Sequence, residues 1–149
     1  MKKRARTDTI ILHCAATKEG QDIKASTIRQ WHLNNGWEDI GYHFVIDLDG
    51  TIEIGRNEQY IGAHCTNHNS TSIGICYVGG CDKQGKAKDT RTPQQKQSMY
   101  RIVTYLCMKY NLTLNSVYCH NSFTSAKACP SFSLYSFKNE YQKYLETLI

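Results

Sequence analysis

Thr92-Pro93-Gln94-Gln95-Lys96-Gln97-Ser98-Met99-Tyr100-Arg101-Ile102-Val103-Thr104-Tyr105-Leu106-Cys107-Met108-Lys109-Tyr110-Asn111 is a long segment with one legible period. Thr92 can cap a helix, Pro93 suits its first position, and Gln95 can close a capping box. Met99, Ile102, Val103, Leu106, Cys107 and Tyr110 then recur at steps of 3, 1, 3, 1 and 3 residues, one apolar face of an amphipathic helix. Asn111 fits its C-terminus. A long one-sided helix needs a second layer to cover its face, and the flanking segments supply strands.

Upstream, Ile73-Gly74-Ile75-Cys76-Tyr77-Val78 reads as a central strand ended by Gly79-Gly80, and Cys81 to Arg91 as a charged surface loop. Downstream, Val117-Tyr118-Cys119 is a short strand that carries His120. After Pro130, Ser133 can cap a last helix that turns Leu134, Phe137, Tyr141, Tyr144, Leu145 and Leu148 to one side. Nearer the N-terminus, Thr9 to His13 is a buried strand, with His13 where strand gives way to loop. A helix over Ser26 to Asn34 is capped by Ser26 or a near neighbour and stopped by Asn35-Gly36; Ile28, Trp31 and His32 make one face. Gly41 to Ile46 and Thr51 to Ile54 form a hairpin through Asp49-Gly50, a two-residue turn signal. The order is strand, helix, hairpin, strand, long helix, strand, final helix. It predicts an α/β single domain with one mixed central β-sheet flanked by helices. Residues 1–8 read as a flexible basic N-terminal arm and residues 9–149 as the domain.

The chain has 149 residues, 21% of them charged, 40% hydrophobic, and a formal net charge of +5. That is ordinary for one globular domain. The positive balance suits a polyanionic partner, either nucleic acid or an anionic cell-wall polymer. The basic residues are scattered rather than striped and no nucleic-acid motif occurs, so no nucleic-acid partner is expected. No apolar stretch is long enough to span a bilayer or act as a secretory signal, so no membrane partner is expected and synthesis is expected in the cytoplasm. Seven cysteines without a CxxC pair fit buried thiols in a reducing compartment rather than a zinc finger.

The chemistry gathers in Tyr118-Cys119-His120-Asn121-Ser122-Phe123-Thr124-Ser125-Ala126-Lys127-Ala128-Cys129-Pro130, which offers an imidazole, an ammonium and a thiol. His13 brings a second imidazole. Three soft ligands would leave the fourth corner of a tetrahedral zinc open, as a catalytic site requires. Among six histidines and seven cysteines, spacing alone leaves this open against satisfied polar histidines and buried thiols. Cys14 beside His13, or Cys119 beside His120, suggests a Cys-His nucleophile instead, but neighbours on a strand face opposite ways. His32 and His43 read as structural, Trp31 and Trp37 as core or edge packing, Tyr42 as a rim tyrosine, and Cys65 and Cys81 as exposed thiols. The polar loop from Gly62 to Ser72 is rich in donors and acceptors.

Several segments, taken in order, resemble a known family: Ile11-Leu12-His13-Cys14-Ala15-Ala16-Thr17, Ile28-Arg29-Gln30-Trp31-His32, Gly36-Trp37, Gly41-Tyr42-His43-Phe44, Asp49-Gly50-Thr51, Gly62-Ala63-His64, Asn69-Ser70-Thr71-Ser72-Ile73-Gly74 and Lys127-Ala128-Cys129-Pro130-Ser131-Phe132. Their wording is similar to that of the zinc-dependent N-acetylmuramoyl-L-alanine amidases of the phage-lysozyme type, whose fold is shared with peptidoglycan recognition proteins. The resemblance runs from about Thr9 to Phe132. It implies one Zn2+ held by His13, His120 and Cys129, with Tyr42 and Lys127 catalytic and His64, His68 and Asn69 lining the substrate groove. It also implies cleavage of the amide between N-acetylmuramic acid and the L-alanine of the peptidoglycan stem peptide. A phage-type endolysin, monomeric and acting on the wall after release, is the expected setting. The alternative is a peptidoglycan-binding module without catalysis, which would have no need of the cysteine ligand.

Overall fold

The computed structural model describes residues 1–149. Its centre is a five-stranded sheet ordered β4-β3-β5-β1-β7. The strands are β1 (Thr9–Cys14), β3 (Phe44–Ile46), β4 (Ile52–Ile54), β5 (Ser72–Tyr77) and β7 (Val117–Cys119). β1 runs parallel to both β5 and β7, β3 runs parallel to β5, and only β4 is antiparallel. The mixed sheet expected from the sequence is therefore present.

Alternation along the strands divides the side chains between two layers. Ile10, Leu12, Phe44, Ile46, Ile73, Ile75 and Tyr77 join the larger core with Met99, Ile102, Val103 and Leu106 of α2 (Pro93–Tyr110) and Phe137 and Tyr141 of α3 (Leu134–Glu146). Val45 instead joins Ala25, Ile28, Ile40 and Val78 in a smaller core under α1 (Ala25–Asn34). His13 alternates with Leu12 and Cys14, so it leaves the α2 side and faces the opposite layer. Cys14 belongs to the larger core, which separates it from the His13 ring as strand geometry requires.

Helix α2 starts as its sequence specifies. Thr92 Oγ1 accepts from the Gln95 amide at 3.0 Å, and the Gln95 side chain accepts from the Thr92 amide at 2.9 Å. Asn111 ends it in the left-handed region at φ 54°. Ser133 Oγ caps α3 through the Ser136 amide at 3.1 Å.

Several local expectations are refined. Residues 1–8, expected as an arm, lie against the domain: Lys3 bridges Tyr60 antiparallel, the Arg4 amide donates to Gln59 O at 2.7 Å, and the Met1 ammonium meets Glu38 at 3.0 Å. The arm's partners, residues 59–61, belong to no strand, and its composition does not announce the pairing. The hairpin loop spans residues 47–51, because the Asp47 amide pairs with Thr51 O and Gly50, at φ 90°, closes onto Asp47 O. Ser26 does not cap α1; the Ala25 amide donates instead to the Glu53 carboxylate from β4 at 2.8 Å. Trp31 is 42% exposed, off the packed face of α1, and Leu148 lies beyond α3, also exposed. Cys65 is buried rather than exposed. The structure also adds a small parallel pair, β2 (Thr17–Lys18) with β6 (Gly80–Cys81).

Candidate active site

Four segments meet on the side of the sheet opposite α2, at the C-terminal ends of β1 and β7. β1 delivers His13 as its penultimate residue. β7 ends at Cys119, and His120 begins the following single 3-10 turn. The loop after it returns as Lys127-Ala128-Cys129. Tyr42 stands two residues before β3. The donor atoms of His13, His120 and Cys129 all lie within 4.8 Å of one another. His13 Nδ1 is 3.7 Å from Cys129 Sγ, and the His13 and His120 ring centroids are 4.8 Å apart.

These residues fit a metal ion on structural grounds. Bonds of about 2.0 Å to nitrogen and 2.3 Å to sulfur put tetrahedral donors about 3.5 Å apart, close to the His13–Cys129 separation. Burial, then the charges of His120 and His43, hold His13 well below the usual imidazole range. Burial and then Lys127 lower His120 as well, so both rings offer lone pairs near neutral pH. The Cys14 thiol and burial push Cys129 upward, so a nearby cation is what would favour its thiolate. The Cys14 amide already donates to Cys129 Sγ at 3.2 Å, a bond suited to a negative sulfur.

The cysteine loop is held on several sides. The Asn121 amide donates to Cys129 O at 2.9 Å, and its side chain donates to Phe132 O at 3.2 Å. The Tyr77 hydroxyl donates to Pro130 O at 2.7 Å, and the Ser131 hydroxyl to Gly80 O at 2.8 Å. Below them Arg91, its side chain 0% exposed, stacks on Phe132 at 3.8 Å and pairs with Asp89 and Glu140. The loop that carries the sulfur is thus tied to β5, β6 and α3.

A groove of about 460 Å³ runs over this cluster, lined by His32, Trp37, Tyr42, Ala63, His64, Cys65, Thr66, Asn69, His120 and Lys127. The Tyr42 ring is 5.1 Å from that of His13. The cost of charging it in this pocket, then the Cys76, Cys129 and Cys14 thiols, keeps the Tyr42 hydroxyl far above its usual range, so it remains a donor. Lys127 is exposed at the groove, and its charge is felt by His120.

The residues expected at the groove separate into different places. Asn69 lines it, but its Oδ1 also accepts from the His64 and Cys65 amides at 2.9 Å each, shaping the loop. His68 is absent from the lining and stacks on Phe123 at 3.9 Å. His64 is 9% exposed, with its ring bonded inward to His13 and Ser72. His32 and Trp37 were expected only to pack; their rings, tilted against each other with centroids 4.5 Å apart, form one groove wall, while His32 Nδ1 also accepts from the Gly41 amide. The Gly36-Trp37 segment carried the available signal for that wall. His43 is structural, as expected: its Nδ1 accepts from the Gly74 amide at 3.0 Å and its Nε2 meets Tyr60 O at 2.8 Å.

Strand ends presenting a group able to hold a metal, with a phenol and an ammonium beside an open groove, define a hydrolase-type site. Comparison with known proteins names the class: residues 3–132 match the family described as N-acetylmuramoyl-L-alanine amidase. The endolysin of Escherichia phage T7 is 45% identical over 133 residues, covering 89% of this chain and 86% of that one. Among solved structures, the N-acetylmuramoyl-L-alanine amidase LysC from Clostridium intestinale URNW superposes with a TM-score of 0.77 at 27% identity, covering 95% of this chain and 93% of that one. Drosophila PGRP-LB shares the fold, with a TM-score of 0.72 at 23% identity and coverage of 88% and 78%. The chain belongs to the N-acetylmuramoyl-L-alanine amidase family.

Proposed function

We propose that this chain is an endolysin-type enzyme that cleaves the amide between N-acetylmuramic acid and L-alanine in peptidoglycan, using one zinc ion held by His13, His120 and Cys129. Membership of the amidase family supports the reaction, and the convergence of two imidazoles and one thiol within 4.8 Å is the observation that carries the site. No helix is long and apolar enough to cross a membrane.

When bound, zinc supplies Lewis acidity, which activates water and polarises the scissile carbonyl. The chain's residues supply the rest. The groove binds the stem peptide against the His32–Trp37 wall and orients the amide over the cluster. The Tyr42 hydroxyl, kept protonated, donates a hydrogen bond to the carbonyl oxygen or to the attacking water. The Lys127 ammonium, at the groove, would offset negative charge that develops on the tetrahedral intermediate. Cys129 holds its position through the Cys14 amide and carries no nucleophilic role.

Metal analysis and turnover on the same variants test these assignments. Cys129→Ser is expected to lose zinc and activity together. Tyr42→Phe and Lys127→Ala are expected to keep one zinc per chain and lose about 10²-fold or more in kcat. An active, metal-free Cys129→Ser protein would refute the ligand set, and unchanged kcat would remove Tyr42 or Lys127 from the reaction.

A further inference from the structure

His64 lines the groove but is only 9% exposed, and both its ring nitrogens are turned inward and bonded. Its Nδ1 lies 2.8 Å from His13 Nε2, and its Nε2 lies 3.1 Å from Ser72 Oγ. Ser72 is 0% exposed. The slot for the ring is built by two glycines. A Cβ at Gly74 would meet His64 Cγ at 2.6 Å, and one at Gly62 would meet His64 Cδ2 at 2.8 Å. The chain thus leaves out two side chains to seat one imidazole behind His13.

The three side chains form a line whose hydrogen bonds can point either way. In one direction the Ser72 hydroxyl donates to His64 Nε2, and His64 Nδ1–H donates to His13 Nε2. The remaining proton of a neutral His13 then sits on Nδ1, the atom 3.7 Å from Cys129 Sγ, where it blocks ligation. In the other direction His13 Nε2–H donates to His64 Nδ1, and His64 Nε2–H donates to Ser72 Oγ. His13 Nδ1 then presents a lone pair toward Cys129 and His120. Which imidazole nitrogen binds a metal is set by the bond made by the other.

We propose that His64 is a positioning residue which, backed by Ser72, holds His13 as the Nε2–H tautomer and so keeps Nδ1 free for the metal. This rests on the metal-site reading above. Metal loading selects the second direction along the whole line, Ser72 included. His64 therefore acts from behind a ligand, and its effect appears first in metal affinity.

Two measurements on the purified full chain test this. Zinc affinity is read by competition with a chromophoric chelator for the wild type, His64→Ala, His64→Asn and Ser72→Ala. The expected loss is about 10- to 100-fold for His64→Ala. His64→Asn places an amide oxygen near the former Nδ1 acceptor and is expected to recover most of that loss, as is added imidazole with His64→Ala. Ser72→Ala is expected to weaken binding several-fold. Nitrogen-15 spectra of the zinc-loaded wild type, which need no variant to fold, are expected to show the proton on Nε2 of both His13 and His64. A His64→Ala protein that binds zinc as tightly as wild type, or a zinc-loaded wild type with the proton on His64 Nδ1, overturns the proposal. A wild type without zinc affinity overturns the metal-site reading instead.

Discussion

Acidification tests the buried face of the site through His43, a histidine that is not in the ligand set. The Gly74 amide donates to its Nδ1, and Tyr60 O can only accept, so Nε2 must carry the proton. A second proton would displace the Gly74 bond and bury a charge. Burial, together with Arg4 and Arg56, holds the folded-state pKa down at about 4 although the Tyr60 carbonyl opposes this. The unfolded chain titrates near 6.5. Above that pH neither state is charged and stability is unaffected. As the pH falls from about 6.5 to about 4, the unfolded state takes up a proton that the folded state refuses, so stability falls. Over about 2.5 pH units at about 1.36 kcal/mol each, the loss approaches about 3 kcal/mol. Urea unfolding of the wild type and His43→Gln between pH 4 and 7.5 isolates this contribution, because shared carboxylates cancel in the difference. The wild-type advantage should shrink by about 3 kcal/mol toward pH 4. A difference independent of pH, or a His43 ring proton titrating near 6.5 in the folded protein, would refute the argument.

Arg91→Met leaves Asp89 and Glu140 without their shared, fully buried cation and should cost about 3–5 kcal/mol in urea unfolding; a loss below about 1 kcal/mol would contradict the role given to the triad. Thr92→Ala removes the α2 cap and should lower the urea midpoint by the equivalent of about 1 kcal/mol without changing the slope. Asp47 is buried beside Glu53, with Oδ1 unpartnered, and its carboxyl is raised to about 7. A raised acid costs stability as pH climbs from about 4 to 7, so Asp47→Asn should gain on the wild type across that range and hold its gain at pH 8. A gain that instead grows on acidification would reverse the assignment.

The parts legible in the sequence were those governed by local rules. The steps from Met99 to Tyr110 specified the long helix, the apolar run into His13 specified β1, and Thr92-Pro93-Gln94-Gln95 specified a cap that the structure reproduces. What was not legible depends on partners distant in sequence. The cap of α1 is Glu53 on another strand, and the N-terminal arm pairs with residues 59–61. The β2–β6 pair is too short and too polar to show a period. At the site, the resemblance supplied His13, His120, Cys129, Tyr42 and Lys127; the fold gathers the first three into one cluster, and Tyr42, His120 and Lys127 line the groove above it. It gave His64 as a groove residue; His64 does line the groove, but both its ring nitrogens are bonded inward, to His13 and Ser72. Nothing in Gly62-Ala63-His64 reveals that Gly74, on β5, leaves the space behind it.

The central claim is a metal-assisted amide cleavage at the His13–His120–Cys129 cluster. Digestion of purified peptidoglycan with enzyme, with enzyme plus chelator, and with chelated enzyme resupplied with zinc tests it most directly. Stem peptides with a free N-terminal alanine are predicted in the first and third samples and not in the second. New reducing sugar ends, or undiminished release of peptides in chelator, would contradict the account.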